Sequence, residues 1–413
     1  METRGDIRLI CVEASNRNKY YNMHDNGDGT FTAKYGRVGV TETSMNYPIS
    51  KWDSILRSKT QRKNEPYTDV TALRAEKTVS NGNGSTPSFA DIKIAQIKSL
   101  VATLQSYAKK SVTENYTVTS EAVTQAQVDE AQSVLDRLTT LKVTDTKILN
   151  DTLLELYKVI PRRMANVKHH LFGLEEGLSL KDDIYKRTIE TEQATLDVMR
   201  GQVSTNTKTK DVGNKANQTL LEAMGLEIIP IEDSDRQIIL KLLGPNSRQF
   251  KGAFKVVNVK TQGLFNKKLT EVTNKATNLF WHGSRNENWW SILDSGLMIR
   301  PSNAIYTGSM FGDGIYFADK AQKSIGYTSL RGSYWAGGGS NKAYLAVFNV
   351  HTGNWLKAQR HESWMYELNE KKLKARGAYD SFFALGGADL RNNEYIVYNK
   401  AQCTVQYLVE IGD

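Results

Sequence analysis

Apolar positions recur along this chain with two different periods, and the changes of period divide it. In residues 1 to 79 apolar and polar side chains alternate, the pattern of half-buried strands. "DIRLICVEA", "KYYNMH" and "FTAKYGRVGVTETSM" read as strands, and "DNGDGT" joins the last two as a hairpin turn of Asn, Asp and Gly. That loop is not a calcium site of the EF-hand kind, because the twelfth position counted from Asp25 is Gly36, where a bidentate Glu would be needed. "SNGNGSTPS", Ser80 to Ser88, lacks charge and large apolar groups, so residues 80–89 read as a linker.

From about Ala90 the period lengthens to that of a helix. Ile94, Ile97, Val101 and Leu104 mark one helix, and Val128, Ala131, Leu135 and Leu138 a second that starts near Ser120. Leu149, Leu153 and Tyr157 mark a third, ended at Pro161, and "LKDDIYKRTIETEQATLDVMRGQ" a fourth with Leu196 and Met199 inward. Residues 90–212 therefore read as an all-α bundle. "STNTKTKDVGNKANQ" reads as a polar connection. Residues 213–413 return to short strands: "RQFKGAFKVVNVKT", "ATNLFWHG", "GIYFAD", "NKAYLAVFNV", "NEYIVYN" and "TVQYLVEI", with "ENWWSILDSG" the clearest helix. The expected architecture is multidomain α+β: a small β-rich domain, a helical bundle, and a mixed α+β domain dominated by antiparallel strands.

Composition narrows the classes. A chain of 413 residues suffices for two or three domains. Cys11 and Cys403 sit at opposite ends, which indicates no disulfide framework and an intracellular setting. There is no signal-peptide pattern and no run long enough to span a membrane. The net charge of +9 is carried by the two ends, the middle third being neutral. Lys51, Arg57, Lys59, Arg62 and Lys63 face one acid, Asp53. Such an excess suits a polyanionic partner, and it also suits ordinary surface solvation.

The chemistry is narrowed by exclusion. No His or Cys pair has zinc-ligand spacing, so no metal is expected. "WAGGGSNK" lacks the ending of a P-loop, and neither a strand-GxGxxG-helix unit nor a Gly-x-Ser-x-Gly elbow occurs. Three strands remain, each with a polar residue near its end: His282, Tyr316 and Glu394. Taken singly, the His is a satisfied core residue, the Tyr is packing, and Glu394 is a charge at a strand end or sheet edge. Taken together, with Gly283, Gly312 and Gly314 beside them, they suit a ligand lying close to the backbone.

"WHGSR", "MFGDGIYFADKAQKS" and "NEYIVYN" closely resemble, in order and spacing, the three NAD-binding strands of the poly(ADP-ribose) polymerase family. The resemblance implies cleavage of the nicotinamide–ribose bond of NAD+, used as substrate, and transfer of ADP-ribose to acceptor proteins, the chain itself included. It implies that Glu394 stabilises the cationic ribose and activates the nucleophile, while His282 holds a ribose hydroxyl. Gly283 and Ser324 would bind the carboxamide, Tyr327 and Tyr316 would enclose the nicotinamide ring, and Ser284 would meet the adenosine half. A Glu at the third position is what polymer-forming members carry.

The likeness extends to the rest of the chain. "KYGRVG" with "YPISKWDSILRSKT" resembles the WGR domain, with Tyr35 in place of its Trp, and residues 90–212 resemble the helical regulatory domain of the DNA-dependent members. DNA strand breaks, nicks or 5'-phosphorylated ends, are the implied partner. Tyr35, Arg37, Lys51, Arg57 and Lys59 are the expected contacts. Arg37 either pairs with a terminal phosphate or sits on a solvated strand face. A monomer acting in the DNA damage response follows, nuclear if eukaryotic and otherwise cytoplasmic near the nucleoid. The alternatives are a transferase of single ADP-ribose units and an idle DNA-end-binding scaffold.

Overall fold

The computed structural model of the protein describes residues 4–64, 66–73, 89–118, 120–211, 217–299 and 310–413. Residues 80–88 of the expected linker, and 212–216 at the expected second boundary, lie outside the described residues. The chain forms two compact units, one of Met1–Gly84 with Lys110–Val203 and one of Ser85–Lys109 with Ser204–Asp413.

The first unit begins with β1 (Ile7–Glu13), β2 (Arg17–Asp25), β3 (Thr30–Arg37), β4 (Thr43–Pro48), α1 (Trp52–Thr60) and β5 (Thr68–Asp69). The strands form one antiparallel sheet in the order β4-β3-β2-β1-β5. Alternation places Leu9 and Cys11 of β1, Tyr21 and Met23 of β2, and Phe31 and Ala33 of β3 in one core. Helix α1 closes that core with Trp52, edge-on to Phe31 at 5.1 Å. Ile10 and Val12 are also buried, on the opposite face of β1.

Four helices follow: α2 (Ala95–Asn115), α3 (Gln125–Leu138), α4 (Thr146–Val159) and α5 (Asp182–Asp211). Within the first unit α4 packs on β1 and so accounts for the second buried face. The second helix starts at Gln125 rather than near Ser120, because Thr124 and Gln127 form a capping box there. Helix α4 stops just before Pro161, which disfavours helical backbone at the residue preceding it. Its neighbour Arg162 is buried with Glu192 at 3.2 Å, both side chains 7 % exposed. The polar stretch from Ser204 is not a connection, since α5 runs on to Asp211. Tertiary bonds override its weak propensity: Ser204 Oγ donates to Asp294 (3.0 Å), and Trp290 Nε1 donates to Thr205 (3.2 Å).

The second unit continues with α6 (Leu220–Met224), β6 (Leu226–Pro230), α7 (Asp233–Leu243), β7 (Phe250–Asn258), α8 (Val259–Glu271), β8 (Thr277–Gly283) and α9 (Trp289–Ser295). Then come β9 (Ile315–Phe317), α10 (Ala321–Ile325), β10 (Lys342–His351), β11 (Trp355–Ala358), α11 (Glu370–Lys374), β12 (Ser381–Ala384), β13 (Glu394–Val397) and β14 (Cys403–Gly412). A five-stranded antiparallel sheet has the order β6-β7-β14-β10-β8, and a four-stranded sheet, in which β11 and β12 run parallel, has the order β11-β12-β13-β9. The mixed α+β character with predominantly antiparallel pairing follows the sequence expectation.

Helices α7 and α8 were not legible in the sequence. The run read as one strand through "NVKT" stops at Asn258, whose side chain accepts from Thr261 N (3.0 Å) and caps α8. Only Phe265 of α8 is buried, which explains its faint periodicity. Among the described residues no helix is long and apolar enough to cross a membrane.

Candidate active site

Strand β8 ends in "WHG" because its pairing with β10, Ala346 opposite His282 and Leu345 opposite Gly283, stops there. Trp281 also exchanges backbone bonds with Ala318, at 2.8 and 3.0 Å, which joins the edge of the five-stranded sheet to β9. Strand β9 in turn pairs with β13, Tyr316 opposite Ile396. His282, Tyr316 and Glu394 thus stand on three successively joined strands.

His282 Nδ1 lies 3.1 Å from the carbonyl oxygen of Tyr316. A carbonyl only accepts, so Nδ1 carries the proton, and Nε2 of the neutral ring is left as an acceptor. Burial pushes the imidazole below its ordinary pKa, and the bond to Tyr316 opposes that shift. Tyr316 donates its hydroxyl to Gly312 O (2.9 Å) and accepts from Phe311 N (3.0 Å). Burial, with a smaller push from Glu394, keeps this phenol well above its usual pKa.

Glu394 is 7 % exposed and sits on β13, an inner strand between β12 and β9, so the sheet-edge reading of this residue is corrected. Its Oε1 takes the ammonium of Lys323 on α10, and its Oε2 is buried with no hydrogen-bond partner among the described residues. Burial raises the carboxyl pKa, and Lys323 pulls it back. A buried carboxylate with one uncommitted oxygen can accept from a ligand hydroxyl and stabilise a nearby positive charge.

The remaining expected site residues gather around α10. A Cβ at Gly283 would overlap the backbone carbonyl of the buried Ser324, so only glycine allows β8 and α10 to approach this closely. Ser284 Oγ accepts from Asn288 Nδ2 (2.9 Å). Tyr327 follows α10, is 38 % exposed and stacks on Trp335.

Two neighbours escaped the sequence reading. Lys323 directly precedes Ser324, but nothing near it in the sequence points to Glu394, 71 positions away. Asp319 Oδ2 accepts from Asn393 Nδ2 (2.7 Å) and Tyr395 OH (3.4 Å), so one carboxylate holds the residues on both sides of Glu394. Their sequence separation leaves no local signal. Among the described residues no three His, Cys, Asp or Glu side chains converge to hold a metal.

The first unit carries the other expected residues. Tyr35 stacks on Tyr21 at 5.3 Å, and Lys59 Nζ lies 4.2 Å from the centroid of the Tyr21 ring. Burial lowers the Lys59 pKa, with help from Arg62 and Lys19. Arg37 donates to Asn16 O (2.9 Å), Asn16 Oδ1 (3.0 Å) and Ala165 O (2.9 Å). It is therefore fixed rather than loose on a solvated strand face. A pocket of about 320 Å³ is lined by Arg17, Lys19, Tyr35, Arg37 and Tyr67 among others. Lys51 and Arg57 are exposed and do not line it.

The family model "Poly(ADP-ribose) polymerase catalytic domain" matches residues 236–412. The "Putative poly [ADP-ribose] polymerase-like 100L" of Invertebrate iridescent virus 6 is 32% identical over 186 residues, 44% of this chain and 95% of the viral one. Poly(ADP-ribose) polymerase 2 of Homo sapiens is 36% identical over 151 residues, 32% of this chain and 26% of the human one. Poly(ADP-ribose) polymerase 2 of Zea mays is 24% identical over 462 residues, 96% of this chain and 68% of the maize one.

Proposed function

The chain belongs to the poly(ADP-ribose) polymerase family and is an ADP-ribosyltransferase with NAD+ as substrate, and on that premise we propose that it elongates ADP-ribose chains on proteins, itself included, when stimulated by DNA breaks. The observation that carries the catalytic half is the uncommitted buried oxygen of Glu394. Nicotinamide leaves as a neutral molecule from a cationic pyridinium, so the barrier lies in the positive charge that grows on the ribose. Glu394 opposes that charge and takes a hydrogen bond from the ribose hydroxyl; on an acceptor ribose the same oxygen activates the attacking hydroxyl. His282 Nε2 holds a ribose hydroxyl, Tyr316 and Tyr327 enclose the leaving ring, and Gly283 with Ser324 binds the carboxamide. Ser284 takes the adenosine half.

The acid side of the pH profile tests these roles. Glu394 works ionised, and burial raises its pKa, so kcat/KM falls at a higher pH than it would for an exposed glutamate. Lys323→Met removes the cation that lowers this pKa and is expected to move the acid limb further up. An unmoved limb would remove Glu394 as the titrating group.

The regulatory half assigns residues 1–79 to a WGR-like DNA-binding domain, 90–212 to a helical regulatory domain and 213–413 to the transferase. The basic pocket around Arg17, Lys19 and Arg37 supports it by offering guanidinium and ammonium groups to a terminal phosphate. Arg37 also donates to the carbonyl of Ala165, which gives DNA binding a direct line to the helical segment. Purified protein with labelled NAD+, with and without nicked duplex bearing a 5'-phosphate, is the test. Arg37→Ala is expected to abolish most of the stimulation while DNA-free transfer stays as in the unaltered chain. Transfer indifferent to DNA in the unaltered chain would overturn the regulatory half alone. No incorporation under any condition would leave the scaffold reading, and labelled products of one unit only would leave the single-unit transferase.

A further inference from the structure

Asp319 follows Ala318, the residue whose backbone is bonded to Trp281 of β8. Tyr395 pairs with Phe317 across β13 and β9, and extending that antiparallel register by two places sets Asn393 opposite Asp319. The side chains meet there: Asn393 Nδ2 donates to Asp319 Oδ2 at 2.7 Å, and Tyr395 OH reaches the same oxygen at 3.4 Å. Asn393 is held at its other end as well, since its Oδ1 accepts from Gly386 N (2.9 Å). The Tyr395 ring stacks on both Phe280 of β8 and Phe383 of β12, with ring centres 4.0 and 4.4 Å away. Burial, with Asp319 beside it, pushes the Tyr395 phenol up to about 12, so the hydroxyl keeps its proton and donates.

Alternation sends Asn393 and Tyr395 to one face of the chain at β13 and Glu394 to the other. Asp319 therefore grips the back of the strand whose front carries Glu394. Its second oxygen, Oδ1, is buried without a hydrogen-bond partner among the described residues, and leaving an acceptor in that state costs stability. An asparagine there would accept the bond from Asn393 without a charge. It has only one acceptor oxygen, however, and could turn its NH2 toward the Asn393 amide instead. Either oxygen of a carboxylate accepts, and the charge strengthens the bond. Giving up stability to fix one strand end suits a site where small displacements of a side chain cost rate. We infer that Asp319 is a positioning residue of the transfer reaction: through Asn393 and Tyr395 it fixes the start of β13, and with it the place of the Glu394 carboxylate against the ribose. This rests on the catalytic reading of Glu394. The two supports of that carboxylate act differently. Lys323 works by charge, pulling the Glu394 pKa back against burial, whereas Asp319 works by geometry from the opposite face.

The test measures nicotinamide release from NAD+ by the full chain, beside a calorimetric count of NAD+ sites. Asp319→Ala is expected to lower kcat about tenfold, with the KM for NAD+ within about twofold, every site still present and the acid limb of the pH profile unmoved. Asn393→Asp sets two carboxylates face to face and is expected to lower kcat as much. Combining it with Asp319→Asn exchanges the two groups, rebuilds the bond in the reverse sense and recovers most of the rate. This exchange conserves volume, so it decides the matter even where Asp319→Ala does not fold. Adding Asp319→Ala to Glu394→Ala is expected to cost nothing further, as for residues that act as one unit. Several results would overturn the assignment: an unchanged kcat, no recovery in the exchanged pair, or a full loss on top of Glu394→Ala. So would a fall in kcat matched by a fall in the number of sites, which would leave Asp319 a structural role alone, or a moved acid limb, which would make its effect one of charge. A Glu394→Ala chain as active as the unaltered one would instead strike the catalytic reading of Glu394.

Discussion

Glu394→Gln is expected to lower ADP-ribose transfer by about 10²- to 10⁴-fold while the affinity for NAD+ changes little. Gln fills the same volume and still offers one acceptor oxygen, so the substrate ribose keeps a partner. On the role proposed for Glu394, what disappears is the negative charge facing the cationic ribose, an interaction that strengthens only as the bond to nicotinamide breaks. The change therefore falls on kcat. A second effect must be separated from it, because Lys323, 15 % exposed, loses its anionic partner. The pair Glu394→Gln with Lys323→Met removes that unpaired cation. It is expected to recover melting temperature but not transfer. Steady-state kinetics with labelled NAD+, beside thermal unfolding of both forms, check the claim. Long polymer from Glu394→Gln would show that the carboxylate is not the group that stabilises the ribose.

Gly283→Ala is expected to raise the KM for NAD+ at least tenfold. The new Cβ would overlap the carbonyl oxygen and carbonyl carbon of Ser324 and crowd its Cα, all backbone atoms that cannot rotate away. Relief requires α10 to move off β8. That movement would carry Lys323 away from Glu394 and shift Tyr327, whose amide donates to Ser324 O at 3.1 Å. Overpacking of this kind costs about 1 to 3 kcal/mol of stability, so a lowered melting temperature should accompany the weaker binding. NAD+ binding by calorimetry separates the two. Normal affinity in a chain with a normal melting temperature would show that the close approach of β8 and α10 serves no ligand.

Strands with one buried face were legible because alternation and burial are the same fact seen twice, as in the middle of β2 and in β3. The bundle helices were legible for the equivalent reason at the longer period. Helices α7 and α8 escaped because one stands on polar termini and the other buries a single phenylalanine, leaving almost no stripe to detect. The site divided along similar lines. His282, Tyr316 and Glu394 could be gathered from strands with recognisable ends. Their supports could not, because the Lys323–Glu394 and Asp319–Asn393 contacts join residues more than seventy positions apart, and nothing local encodes such a pair. Position in the sheet was equally hidden: a charged residue at a strand end reads as an edge until its neighbours are known to lie on both sides.

The reciprocal bonds between Trp281 and Ala318 join two sheet margins, β8 being the last strand of one sheet and β9 the last of the other. At that point neither margin offers its backbone to a neighbouring molecule, so the seam guards this unit against strand-by-strand aggregation. The same two amides are a natural clock. They exchange with deuterated solvent only when the sheets part, and their protection measures the free energy of parting directly. His282 sits one residue beyond the seam and Tyr316 two before it. Deuterium uptake at positions 281 and 318 therefore reports how rigidly these two side chains are held before any ligand arrives.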